Sequence, residues 1–102
     1  MVIMEDPEAI KQEIYLNGPV TTFFLAFTDL LYYKSGVYHK TSGEFGGGHA
    51  VKIVGWGKTE TENYWIIANS WGPEWGMNGY FWMREGELAV DKFAVACMPE
   101  LF

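Results

Sequence analysis

The spacing of apolar residues changes near residue 19. Upstream, Ile10 and Ile14 recur at helical spacing within a polar stretch, Asp6 can cap a helix, Pro7 suits its first turn, and Gly18-Pro19 stops it. This pattern predicts a helix from Asp6 to Gly18. Val20 to Phe27 is apolar and rich in β-branched and aromatic residues, which predicts a strand, and Thr28 to Tyr33 reads as a short helical turn. After Ser35-Gly36, clusters of glycine and asparagine separate four runs that favour strands: Ala50 to Trp56, Asn63 to Ala68, Gly79 to Arg84, and Phe93 to Met98. The runs at Ala50 and Tyr64 are apolar at both parities, so these strands are expected to be central or covered on each side. Lys58 to Asn63 is polar enough to be a solvated hairpin loop. The expected fold class is α+β: one domain over residues 1–102, mainly an antiparallel β-sheet or open barrel, with one N-terminal helix.

Composition narrows the possible partners. A hydrophobic content of 49% excludes a disordered polar segment, while seven Phe, six Tyr and five Trp are a heavy aromatic load for 102 residues to hide. Part of that surface is expected to face a partner. A net charge of −6 with no basic stripe argues against nucleic-acid binding. No apolar run approaches the roughly 20 residues needed to cross a bilayer, and the first residues lack the pattern of a secretory signal. The single cysteine, Cys97, excludes an internal disulfide framework.

Candidate chemistry gathers at two places. In Gly46-Gly47-Gly48-His49-Ala50-Val51, three glycines allow a tight backbone turn and close approach to a ligand ahead of a histidine that opens a buried strand. Taken alone, this is equally a histidine at the edge of the core. Twenty residues on, Tyr64 to Ala68 ends in Asn69-Ser70-Trp71-Gly72, on what is expected to be the adjacent hairpin strand. A histidine serving as base for a thiol presents one ring nitrogen to sulfur while the other donates to an acceptor, and an Asn carbonyl oxygen fills that role. Trp71 is placed to shield such a bond. The plainer alternative is that Asn69 ends a strand and Trp71 packs in the core.

Taken together, Gly47-Gly48-His49-Ala50-Val51, Tyr64-Trp65, Asn69-Ser70-Trp71-Gly72, Trp75-Gly76 and Asn78-Gly79-Tyr80 resemble the papain-like cysteine proteases. Asn17-Gly18-Pro19-Val20, Tyr33-Lys34-Ser35-Gly36-Val37-Tyr38 and the approach from Thr41 to Gly48 are most similar to the cathepsin B group. The resemblance runs from about Ile10 to Pro99. It implies the β-rich, right-hand domain of such an enzyme, with His49 as general base and imidazolium partner, Asn69 as its orienter, and Trp71 covering their hydrogen bond. It further implies that Gly48 and Ala50 line the substrate cleft and that Phe93 stands at the base of an apolar pocket for the second substrate side chain. The stretch from Gly86 to Val90 departs from the family in length and lacks its usual Cys-Gly.

The family's nucleophilic cysteine, its oxyanion-hole glutamine and the occluding loop of cathepsin B belong to an N-terminal half that this sequence does not contain. The resemblance therefore implies a Cys-bearing domain or chain as partner, peptide or protein as substrate, no cofactor, and a lysosomal, endosomal or secreted setting. Cys97 lies in an apolar run with no basic neighbour and is expected to be an inert packing residue. Gly57-Lys58-Thr59 imitates a phosphate loop, but Lys52 stands where its first glycine belongs. His39 with His49, Glu44 or Asp29 lacks metal-ligand spacing and reads as a surface histidine. The competing functional reading is an inactive protease-like module that binds peptides or a partner.

Overall fold

A computed structural model describes residues 2–96. The chain runs as β1 (Val2–Met4), α1 (Pro7–Asn17), β2 (Val20–Phe27), a 3-10 turn (Thr28–Tyr32), β3 (Val37–Tyr38), β4 (Phe45–Lys58), β5 (Asn63–Ala68), β6 (Tyr80–Arg84), a second 3-10 turn (Glu87–Ala89) and β7 (Ala94–Ala96). Helix α1 is bounded as expected: Asp6 accepts from the Ala9 N–H at 2.9 Å, Pro7 opens the helix, and the Gly18 N–H closes it on the Ile14 carbonyl.

Among the described residues, seven strands form one open sheet in the order β1-β7-β2-β4-β5-β6-β3. The pairings are antiparallel except β3 with β6, which is parallel. Both β1 and β3 are too short, at three and two residues, to have stood out in the sequence. On the inner face, Val20 and Phe24 of β2, Val51 and Ile53 of β4, Trp65 and Ile67 of β5, and Phe81 and Met83 of β6 are buried together with Ile10 of α1. Fully burying a side chain of this size contributes roughly 1.5–3 kcal/mol of stability. The core carries its own polar anchor. Trp65 Nε1 donates to the buried Asp91 carboxylate at 3.0 Å, and the Gly86 N–H donates to the same oxygen at 2.7 Å.

Two expectations need correction. Strands β4 and β5 are central, but only one of their faces is sealed: Ala50 and Lys52 are exposed, and Ile66 and Ala68 are half-buried. The reason is that α1 packs on the inner face, where Ile10 joins the core, so the outer face relies on its own side chains. The second correction concerns the glycines before His49. They are not a turn leading into the strand, because β4 already begins at Phe45 and pairs Gly47 with Ala26 and Gly48 with Leu25. Backbone ladder bonds need no side chains, so the β2 partner extends the strand through the glycines. The last expected strand, Phe93 to Met98, is observed as Ala94–Ala96, and Cys97 and Met98 lie outside the described residues.

Candidate active site

The register of three strands brings His49 to Asn69. Phe24 of β2 stands opposite His49, and Lys52 of β4 stands opposite Ala68 of β5. Continuing the second register by one step sets Asn69 opposite Val51, which makes His49 and Asn69 diagonal neighbours on the inner face, within side-chain reach. At Asn69 the β5 chain turns away, and its N–H donates to the Gly79 carbonyl at 3.0 Å. The two side chains meet with His49 Nε2 2.8 Å from Asn69 Oδ1.

Hydrogen-bond accounting fixes the proton. Asn69 Oδ1 also accepts from the Ser70 backbone N–H at 2.8 Å, and a backbone amide can only donate. The oxygen of the Asn69 amide therefore occupies this corner, and having no proton to give, it requires His49 Nε2 to carry one. That leaves Nδ1 as the ring nitrogen that can take up or share a proton. Asn69 Nδ2 is buried with no hydrogen-bond partner among the described residues.

Aromatic rings confine the imidazole. Trp71 stacks on it, with centroids 5.2 Å apart and planes 27° from parallel, and Phe24 meets it edge-on at 5.6 Å. Trp75 supports Trp71 in a T-shaped contact at 5.0 Å and anchors itself by donating Nε1 to the Leu30 carbonyl at 3.2 Å. A ring face against the imidazole excludes water on that side and fixes the plane of the ring. Trp71 remains 38% exposed, so its outer face is open to a neighbour.

The loop before β4 is clamped to the first 3-10 turn. Thr28 and Glu44 exchange two bonds of 2.9 Å, one between main chains and one from the Glu44 N–H to Thr28 Oγ1. Asp29 accepts from the Thr41 N–H at 2.9 Å through one oxygen and from the Tyr38 hydroxyl at 2.5 Å through the other. Burial pushes the Asp29 carboxyl up, but the bonds from Tyr38, Thr41 and Ser42 and the charge of Lys40 outweigh it and hold the group below the ordinary aspartate value. Burial and the same carboxylate push the Tyr38 hydroxyl well above its ordinary value, so it stays a donor. Gly43 is obligatory here: its φ is +104°, and a Cβ would lie 2.6 Å from Thr28 Oγ1 and 2.8 Å from the Asp29 nitrogen.

Cavities flank the pair on both sides. One of about 200 Å³ is lined by Ala26, Phe27, Leu31, Gly48, His49 and Trp71. The other, of about 370 Å³, is lined by Thr21, Ala50, Lys52, Ala68, Asn69 and Ser70. Gly48 and Ala50 thus fall on opposite sides of His49, both on the open face. Phe93 stands apart from the pair and meets Phe23 at a ring-centroid distance of 6.4 Å, and Phe23 is directly across the ladder from Ala50. His39 makes no approach to His49; it pairs with Glu62 at 2.9 Å. Cys97 lies outside the described residues.

Sequence reading passed over Phe24, which stands beside His49 only once β2 is paired with β4. It also missed Phe23, the acceptor carboxylates Glu87 and Asp91, and Thr22, a buried hydroxyl inside an apolar strand. Glu87 accepts from the Lys40 N–H at 2.9 Å and from Arg84 at 2.6 Å. The signal for these was an acidic residue on each side of the apolar Leu88–Val90.

The model of the papain family cysteine proteases matches residues 1–98. The chain belongs to that family. It is 53% identical over 94 residues to cathepsin B-like cysteine proteinase 3 of Caenorhabditis elegans, covering 90% of this chain and 25% of that protein. It is 45% identical over 100 residues to cathepsin B-like protease 1 of Arabidopsis thaliana, covering 95% and 26%. Among solved structures, procathepsin B S9 from Trypanosoma congolense superposes with a TM-score of 0.90 at 44% identity, over 96% of this chain and 35% of that one. Digestive procathepsin L2 of Tenebrio molitor larval midgut gives 0.79 at 31% identity, over 91% and 31%. The chain spans about a quarter of the length of these curated relatives. The mostly β fold with one helix is that of the right-hand domain of papain-like proteases. Among the described residues, no helix is long and apolar enough to cross a membrane.

Proposed function

We propose that this chain supplies the base and the orienting amide of a cathepsin B-like cysteine peptidase, completed by a Cys-bearing half. The observation that carries this reading is the His49–Asn69 bond, with Nε2 donating and Nδ1 left to face a thiol. With a thiol presented to Nδ1, the imidazole takes its proton and the thiolate attacks a peptide carbonyl. The imidazolium then protonates the departing amine, and the neutral ring activates the water that releases the acyl group. Asn69 keeps the ring turned and Trp71 covers the bond. Gly48 and Ala50 border the substrate, and Phe93 favours an apolar side chain. The thiol comes from another segment, so the chain by itself does not cleave peptides. Family membership supports a lysosomal, endosomal or secreted setting for the complete enzyme.

The test is to combine the chain with a separately produced thiol-bearing half of a cathepsin B-like protease and measure cleavage of a peptide substrate. Thiol-dependent activity is expected from the mixture and from neither component. His49→Ala is expected to remove it, by the roughly 10²–10⁴-fold typical of a lost general base. A well-folded complex with no activity refutes the reading.

A further inference from the structure

Thr22 is a buried polar residue for which the proposed chemistry has no use. It is fully shielded from solvent on the inner face of β2, between Val20 and Phe24, where an apolar side chain would be expected. Its hydroxyl donates to the Val90 carbonyl, and the Phe93 carbonyl stands 3.2 Å from the same oxygen. Its backbone pairs with Ala94, the residue after Phe93, and the next residue on β2 is Phe23, whose ring meets that of Phe93.

The segment held in this way needs holding. Leu88 and Ala89 both have left-handed backbones, with φ of 50° and 64°, in the stretch that departs from the family pattern. Val90 and Asp91 are buried just beyond them, and the chain must then come out to the surface so that Phe93 lies 45% exposed. The carbonyls of Val90 and Phe93 bracket that exit, and one hydroxyl faces both.

We infer that Thr22 is a positioning residue for substrate selectivity: its hydroxyl pins the Val90–Phe93 exit to β2, which sets the Phe93 ring against Phe23 on the face that carries Ala50. This rests on the proposed placement of Phe93 at the substrate. The ligand class concerned is a peptide with an apolar side chain against Phe93. A hydroxyl is needed, since a methyl in its place would leave the buried Val90 carbonyl and the part-buried Phe93 carbonyl facing carbon.

The test uses the reconstituted complex with Thr22→Val, which keeps the shape and removes the hydroxyl, and Thr22→Ser, which keeps the hydroxyl. Two quantities are read: the nuclear Overhauser contact between the Phe23 and Phe93 rings in chains labelled at phenylalanine, and the ratio of kcat/KM for substrates bearing a large apolar or a small polar side chain at that subsite. Thr22→Val is expected to lose the ring contact and to lower the ratio about tenfold, the order of one lost pocket contact, through KM with kcat kept. Thr22→Ser is expected to retain both. An unchanged ring contact in Thr22→Val overturns the inference, as does an equal loss for both substrates, or a Thr22→Ser chain that behaves like Thr22→Val. The ring contact is read without turnover, so it stands or falls independently of peptidase activity. Phe93→Ala serves as the separate control: if it leaves the ratio unchanged, the placement of Phe93 at the substrate fails, and the inference about selectivity fails with it.

Discussion

Replacing Ala89 with glycine should make the protein more stable, although it deletes atoms and adds none. Ala89 has φ +64°, and a left-handed backbone costs a residue with a Cβ roughly 1–2 kcal/mol. Glycine removes that cost but gives the unfolded chain extra freedom worth about 0.4–1 kcal/mol. Ala89 is exposed, so its methyl contributes little packing. The balance is a gain of about 0.5–1 kcal/mol, or roughly 2–8 °C in Tm at the 4–8 °C per kcal/mol usual for a domain near this size. Leu88 supplies the contrast. Its φ of 50° promises the same relief, yet its partly buried side chain packs against the core, and losing that packing costs roughly 1–2 kcal/mol, more than the relief. Leu88→Gly should therefore lower Tm. Thermal unfolding of both variants, followed by circular dichroism, checks the pair. If Ala89→Gly melts at or below the parent temperature, the backbone here is not strained and the reasoning is wrong.

The remaining predictions concern the polar clamps. Gly43→Ala should destabilise the chain by about 2 kcal/mol or more, since it combines a left-handed backbone with a clash against the main chain of the 3-10 turn, and hydrogen exchange should show the amides of Thr41 to Glu44 losing protection. Asp91→Ala strands the Trp65 indole N–H and the Gly86 N–H in a buried site, for a loss of about 2–4 kcal/mol in urea unfolding, with Trp65 fluorescence altered in the native state. The folded-state pKa of Asp29 is lowered, so its contribution to stability is present above the ordinary aspartate value of about 3.9 and is lost as pH falls through the folded value. Asp29→Asn should accordingly flatten the dependence of Tm on pH below about 4; a parallel curve would show that this carboxylate is not responsible.

Much of the sheet was legible because its strands announce themselves. β2 and β5 run over the residues expected from their apolar runs, and Asp6 and Gly18 mark α1 by their own chemistry. The His49–Asn69 contact was legible from strand spacing together with family resemblance. What could not be read lies in non-local pairing. Nothing local distinguishes Val37–Tyr38 as a strand, because its partner is Trp82–Met83, more than forty residues away and parallel. The glycines before His49 look like a turn until β2 is placed beside them. Thr22 and Asp91 look like ordinary polar residues until the fold puts carbonyls and an indole against them. The open outer face was misjudged for a related reason: apolar strand faces say that cover is wanted, and the one α-helix among the described residues packs on the other side.

The irregularity in β4 between Ile53 and Gly55 has a bearing on how this gene can change length. Upstream of it the odd-numbered residues His49, Val51 and Ile53 point inward, whereas beyond it Trp56 is the residue that pairs with the buried Trp65. The extra residue absorbs the change of phase. An insertion or deletion in the Lys58–Asn63 hairpin therefore alters only a solvated loop, while losing one codon between His49 and Ile53 would turn the histidine out of the face it shares with Asn69. Descendants of this sequence are free to vary in length in that hairpin loop and are held to a fixed count along the paired strands that carry His49 and Asn69.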